Sequence, residues 1–221
     1  MKLSAPMLLS FNGGFVDTAG YLALQGLFTA HVTGNFVTFG ASLVQGTSGA
    51  GAKLLALPVF CLMVILARLS RYRLMSLGVP IFEALIGFKL MLLAVAAALA
   101  ITYGPFADGN SAAAIATGMT LVAAMAIQNA VQRVHMPKSP PTTLMTGTST
   151  QMMLDIGDLI EGLPDQERPA LRARLAAMSK SVGSFATGCA LAALAILWFK
   201  MFAFIVPPVI GLAALIAPRP T

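Results

Sequence analysis

From Ser181 to Phe199 the chain reads SVGSFATGCALAALAILWF, nineteen residues without a charge, and after Lys200 it continues uncharged from Met201 to Pro218. A helix rises about 1.5 Å per residue, so about twenty apolar residues cross the ~30 Å hydrocarbon layer of a bilayer. Six segments have this length and character, roughly 7–28, 53–69, 77–103, 111–134, 179–199 and 201–217. Charged residues make up 10% of the 221, against about 25% in soluble domains. The reading is an all-α polytopic membrane protein, a single integral domain over 1–221. Six transmembrane helices are expected, with two short half-helices over 33–46 and 143–160. The opening stretch, MKLSAPMLLSFNGGFVDTAG, is read as the first span and not as a cleaved leader, because Asp17 and Gly13–Gly14 interrupt its apolar run.

Lysine and arginine placement sets the orientation. If the two short pieces do not cross, eleven basic residues fall on one side: Lys2, Arg68, Arg71, Arg73, Arg133, Lys138, Arg168, Arg172, Arg174, Lys180 and Arg219. Lys53 and Lys200 fall on the other, with Lys89 inside a span. If both pieces cross, the split becomes seven to six, which carries no orientation. Both termini are therefore expected in the cytoplasm. The net charge of +6 is a topology signal, and no basic patch interleaved with aromatics suggests nucleic acid. The partner this composition does require is the lipid bilayer.

Two polar clusters interrupt the apolar pattern, HVTGNFVTFG at 31–40 and TLMTGTSTQ at 143–151. Each follows a long span and precedes a short apolar helix. Asp17 and Asn129 stand 112 residues apart, and Thr33-Gly34 and Thr146-Gly147 stand 113 apart. This suggests two half-repeats, about 1–105 and 106–221. Three spans in each half make the repeat inverted, a pattern that in secondary transporters puts the binding site near the repeat interface. Residues 161–180 are the one clearly aqueous stretch, expected to be a cytoplasmic connector in which Pro169 opens a short helix.

The candidate site follows from what hydrocarbon forbids. Irregular backbone at membrane depth must face protein or water. Gly34 and Gly147 permit a break, and Thr33, Asn35, Thr146 and Thr148 offer caps for freed amides. Helix N-termini at that depth favour an anion; the alternative is that both clusters are ordinary surface loops. Asp17 and Lys89 lie mid-span, where an ionisable group needs a partner or a cavity, and their mutual pairing is the simplest expectation. That pair serves either transport or helix orientation. Gln128, Asn129 and Arg133 line an inner vestibule or simply end a helix in water. His31 titrates near neutrality or bonds within its loop. Asp155 shares a face with Asp158 near the cytoplasm. Cys61 and Cys189 lack ligand spacing and read as small buried hydrophobes. No metal, cofactor or catalytic signature appears.

GGFVDTAGYLAL, FTAHVTGNFVTFG, IQNAVQR and TTLMTGTSTQMMLDIGD together resemble the YoaK family of small bacterial membrane proteins, domain of unknown function 1275. The resemblance spans both halves. It implies a six-span inner-membrane protein, and it matches Asp17, Thr33, Gly34, Asn35, Gln128, Asn129, Thr146, Gly147 and Asp155 without assigning them roles. The leading expectation is a small-solute permease whose two Thr-Gly half-helices surround a central polar site near Asp17 and Lys89. Six spans are few for a carrier, which suggests a homodimer packed through Gly183, Ser184 and Gly188. The rival is a non-transporting membrane scaffold.

Overall fold

The computed structural model describes residues 3–162 and 164–218, so Lys2 and Arg219 of the charge count lie outside the described residues. The described chain forms helices and no strand: α1 (Ala5–Ala23), α2 (Asn35–Gln45), α3 (Ala50–Ser76), α4 (Ile81–Tyr103), α5 (Ala112–His135), α6 (Thr146–Glu161), α7 (Arg168–Phe199) and α8 (Val206–Ile216). Short 3-10 turns at Val32–Gly34 and Lys200–Ile205 precede α2 and α8. Among the described residues four helical runs are long and apolar enough to cross a membrane: α3, α4, α5 and the run Arg168–Ile216. α1 is absent from that set although it has 19 residues. Its Asn12, Asp17 and glycines are tolerable because most of the helix is buried by neighbours and not by lipid.

Contacts along the helices fix their directions. Ser10 bonds Ser181, and Gly14 lies against Phe185, so α1 and α7 run parallel. Asn12 bonds the Pro207 carbonyl and Ala5 bonds that of Pro218, so α8 runs antiparallel to α1 and brings the two ends of the described chain together. The Arg168–Ile216 run therefore doubles back. In the other half, Gly51 bonds Asn110 while Arg68 and Arg71 share a cavity with Arg133, so α3 runs parallel to α5. Lys89 meets Gln128 and Phe82 meets His135, which sets α4 antiparallel to α5. Leu9 bonds Gln128 while Leu24 lies near Gly118, making α1 and α5 antiparallel to each other. α1, α5, α4 and α8 thus enclose the centre. α7 covers α1 and α3 covers α5, with α6 on α7 and α2 on α3.

The α1–α7 crossing depends on small residues. A side chain at Gly14 would overlap the Phe185 carbonyl, and one at Gly188 would overlap that of Phe11. Close backbone approach supplies the dispersion contact that lipid-exposed helices otherwise lack. Gly188 is therefore used inside the protomer, while the other two residues expected at a dimer contact, Gly183 and Ser184, line a surface cavity.

Three further expectations change here. α7 runs unbroken from Arg168 to Phe199, so no separate short helix forms in the connector, although Pro169 does sit in the first turn. Charged residues extend this helix beyond the apolar layer, which sets no limit on helix length. Cys61 is exposed on the flank of α3, a surface that lipid covers, and Cys189 wedges between α1 and α7 with its thiol on the Gly14 carbonyl at 3.4 Å.

Candidate functional site

Both long interhelical loops fold back along the helix they leave. After α1, Gln25 and Gly26 take positive φ angles of 55° and 82° and reverse the chain. Residues 27–31 then return beside α1 until they reach Asp17, six residues before the helix end, or about 9 Å of axial rise. The Asp17 Oδ1 accepts the amides of Thr29 at 2.7 Å, Ala30 at 2.8 Å and His31 at 3.4 Å. Asn35 closes the same loop: Phe28 N–H donates to its Oδ1 at 2.8 Å, and its Nδ2 donates to Phe28 O at 2.7 Å.

The second loop does the same with neutral groups. Thr143 Oγ1 donates to Asn129 Oδ1 at 2.7 Å, and Gln128 Nε2 donates to Thr142 Oγ1 at 3.0 Å. Gln132 Nε2 holds the Ser139 carbonyl at 3.1 Å, and Ser181 Oγ donates to Pro141 O at 3.0 Å. Because α1 and α5 are antiparallel, the two loops dip into opposite ends of the bundle. The Thr-Gly clusters therefore do not share a central site.

Their threonines do not act as expected either. Thr33, Thr146 and Gly147 are exposed, and no side chain caps α2 or α6 at its first turn. Thr148 is buried with its hydroxyl unpartnered. The Asp17 carboxylate does not sit at the start of α2: it takes the amides of Thr29, Ala30 and His31 in the loop, four to six residues before α2 begins. A carboxylate accepting several amides is a strong charge-assisted arrangement, which is why it takes these amides in place of a threonine hydroxyl. His31 packs its ring on Phe28 at 5.8 Å between centroids.

Asp17 and Lys89 do not pair. Lys89 is fully buried at the centre and donates to Gln128 Oε1; no carboxylate among the described residues lies within salt-bridge distance of it. Gln128 also donates to Leu9 O at 2.9 Å. Close by in the same helical ring, Asn12 donates to Pro207 O at 3.1 Å while its Oδ1, also buried, has no partner. Sequence reasoning passed over Asn12, though an asparagine two residues before the end of LLSFNGG, inside an apolar run, is the signal that finds it. Ser10 and Ser181 were also missed, since hydroxyls are common in apolar helices and identify no partner, and so was Thr142, one of several hydroxyls in its loop.

Asp155 is buried and takes a bidentate pair of bonds from Arg174, with Gln151 donating to it at 2.7 Å. The Arg174 hydrogen bond holds its carboxyl below the usual carboxylate range, against the opposing effect of burial. Asp158 is exposed, so the two acids form no shared-proton pair. Arg133 joins Arg68, Arg71 and Asn129 in lining a cavity of about 380 Å³ between α3, α4 and α5. Leu85 lines it as well, and Lys89, one turn further along α4, does not. No group of three His, Cys, Asp or Glu side chains among the described residues is placed to hold a metal.

A family model described as "Protein of unknown function (DUF1275)" matches residues 5–217. No curated protein and no solved structure matches.

Proposed function

The chain belongs to the DUF1275 family, and from that premise we propose that it is a small-solute transporter of the bacterial plasma membrane, with Lys89 and Gln128 as its solute-facing pair. Six segments cross in this reading, α1, α3, α4, α5, α7 and α8 together with the 3-10 turn before it, with both termini in the cytoplasm, and no bond-making chemistry is involved. Its two halves form an inverted repeat. Support for the repeat comes from exchanging α1–α4 with α5–α8: every packing pair described above maps onto another or onto itself, and the α1–α7, α3–α5, α1–α8, α4–α5 and α1–α5 pairs keep their directions. Ser42 and Asp155, again 113 residues apart, extend the match, one bonded by Lys53 of α3 and the other by Arg174 of α7.

The observation that carries transport is Lys89. It lies between the halves, enclosed by four helices, with a single neutral acceptor. An ionisable group at the centre of a bilayer costs at least ~2.5–3.5 kcal/mol and marks solute or ion pathways by default. An uncompensated lysine selects a small anion. The test is a current measurement on proteoliposomes challenged with formate, acetate, lactate and phosphate in turn. Wild-type vesicles are expected to respond to at least one, Lys89→Arg to respond weakly, and Lys89→Gln not at all. Responses equal to those of empty vesicles for all four anions would remove this reading.

A second reading, the membrane scaffold, is favoured by a specific observation: Asp17 is already taken up by loop amides, and the cavity beside Leu85 stops short of Lys89. In a scaffold Lys89→Gln would leave every vesicle current unchanged.

A further inference from the structure

The cavity of about 380 Å³ between α3, α4 and α5 is not needed by the transport reading, and its chemistry is graded along its depth. Arg68, Arg71 and Arg133 stand at the end where α3 and α5 finish, and no acidic residue is part of its wall. None of the three arginines takes part in an ion pair among the described residues, whereas Arg168 and Arg174 both do. Phe60 lies eleven residues before Arg71 on α3, about 16 Å deeper. Val64 and Leu85 continue this apolar inner wall; of the other polar side chains that line the cavity, Asn129 stands one turn inside Arg133, and His135 lies at the arginine end where α5 finishes.

A soluble anion is poorly served by such a space, because its inner wall offers almost nothing to hydrogen-bond. An amphiphile with a negative head and an apolar tail matches both ends. Clusters of arginine at a bilayer surface attract anionic headgroups with about 1 kcal/mol per residue, and basic pockets between membrane helices hold phosphate heads. We propose that this cavity binds one anionic phospholipid from the leaflet at the arginine-rich end. Its phosphate sits among Arg68, Arg71 and Arg133, and an acyl chain lies along Phe60, Val64 and Leu85. The site is independent of Lys89, so failure of the transport reading leaves it standing.

The test is native mass spectrometry on the delipidated full chain in detergent, titrated with phosphatidylglycerol or with phosphatidylcholine of the same acyl chains. One phosphatidylglycerol is expected to bind at least about tenfold more tightly than phosphatidylcholine. Arg68→Gln with Arg133→Gln is expected to weaken it roughly thirtyfold, while Arg172→Gln on the exposed face of α7 leaves it unchanged. Val64→Trp keeps every charge but fills the inner wall, and is expected to abolish the preference as well. Circular dichroism checks that each variant is folded; should the double arginine variant unfold, Val64→Trp decides. Equal binding of the two lipids, or unchanged binding in Val64→Trp, overturns the proposal. Displacement of the lipid by glycerol phosphate or inorganic phosphate at equal concentration overturns it too, by identifying a soluble-anion site.

Discussion

Asp17 concentrates the chemistry of the first loop in one oxygen. Its Oδ1 serves three successive amides, which would otherwise be stranded in a dry interior. Asp17→Ala is therefore expected to cost about 3–5 kcal/mol, from buried amides left without an acceptor. Asp17→Asn keeps an acceptor oxygen and is expected to cost about half as much. Unfolding of both variants in mixed micelles measures the difference. Equal, small losses would mean that the carboxylate is not a structural clamp and would return it to the list of solute ligands. That Asp17 and Lys89 are special was legible in the sequence, because charge in an apolar span is conspicuous. Their partners were not. Which way each side chain faces depends on the rotation of two helices that are not chain neighbours, and backbone amides compete for a carboxylate without leaving any mark in the sequence.

At the scale of the element, glycines divide into two kinds that the sequence does not distinguish. Gly14 and Gly188 lie where two backbones touch, whereas Gly147 and Gly183 have open space around them. Gly188→Ala forces a methyl against the Phe11 carbonyl, an obstacle that cannot rotate away, and is expected to destabilise by at least about 3 kcal/mol. Gly147→Ala and Gly183→Ala are expected to stay within about 1 kcal/mol of wild type, since alanine also favours the helix. Thermal unfolding in detergent separates the two groups; a stable Gly188→Ala variant would mean that α1 and α7 do not cross as described. α6 is tied to α7 through Asp155 and Arg174. The Asp155 carboxyl is held low, so its contribution is present at neutral pH and disappears as acid protonates it, below the ~3.9 of a free aspartate. A spin label replacing Met153 should be immobile at pH 6 and become mobile only below about pH 4. Mobility that rises already between pH 7 and 5 would show that some other group holds α6. The helices themselves were legible wherever polar clusters punctuate apolar runs: the segments 33–46 and 143–160 enclose α2 and all but the last residue of α6. The length of α7 was not, because residues 168–180 carry the charges of a loop and the periodicity of a helix.

Exchange symmetry between the proposed halves makes a demand on the whole molecule. If the halves are inverted, equivalent loops must face opposite sides of the membrane. The turn at 46–49 between α2 and α3 and the turn at 162–167 between α6 and α7 are such a pair. Charge agrees, since Arg168, Arg172 and Arg174 follow the second turn while only Lys53 follows the first. The charges carry an orientation in the sequence itself, whereas the spacing of the polar clusters offers no more than a hint of a repeat. Side chains that bind loops by equivalent geometry need not be identical, as Asp17 and Asn129 illustrate. Single cysteines replacing Thr47 and Asp165, in a background without Cys61 and Cys189, put the symmetry to a direct test with an impermeant thiol reagent in intact cells and inverted vesicles. Thr47→Cys is expected to react from outside only and Asp165→Cys from the cytoplasm only. A third cysteine at Thr143, held by Asn129 two turns inside the end of α5, should react slowly from either side. Labelling of both turns from the same side would require an even number of crossings between them, where α3, α4 and α5 supply three. The inverted repeat would then fall, and with it the placement of Lys89 between two inverted halves.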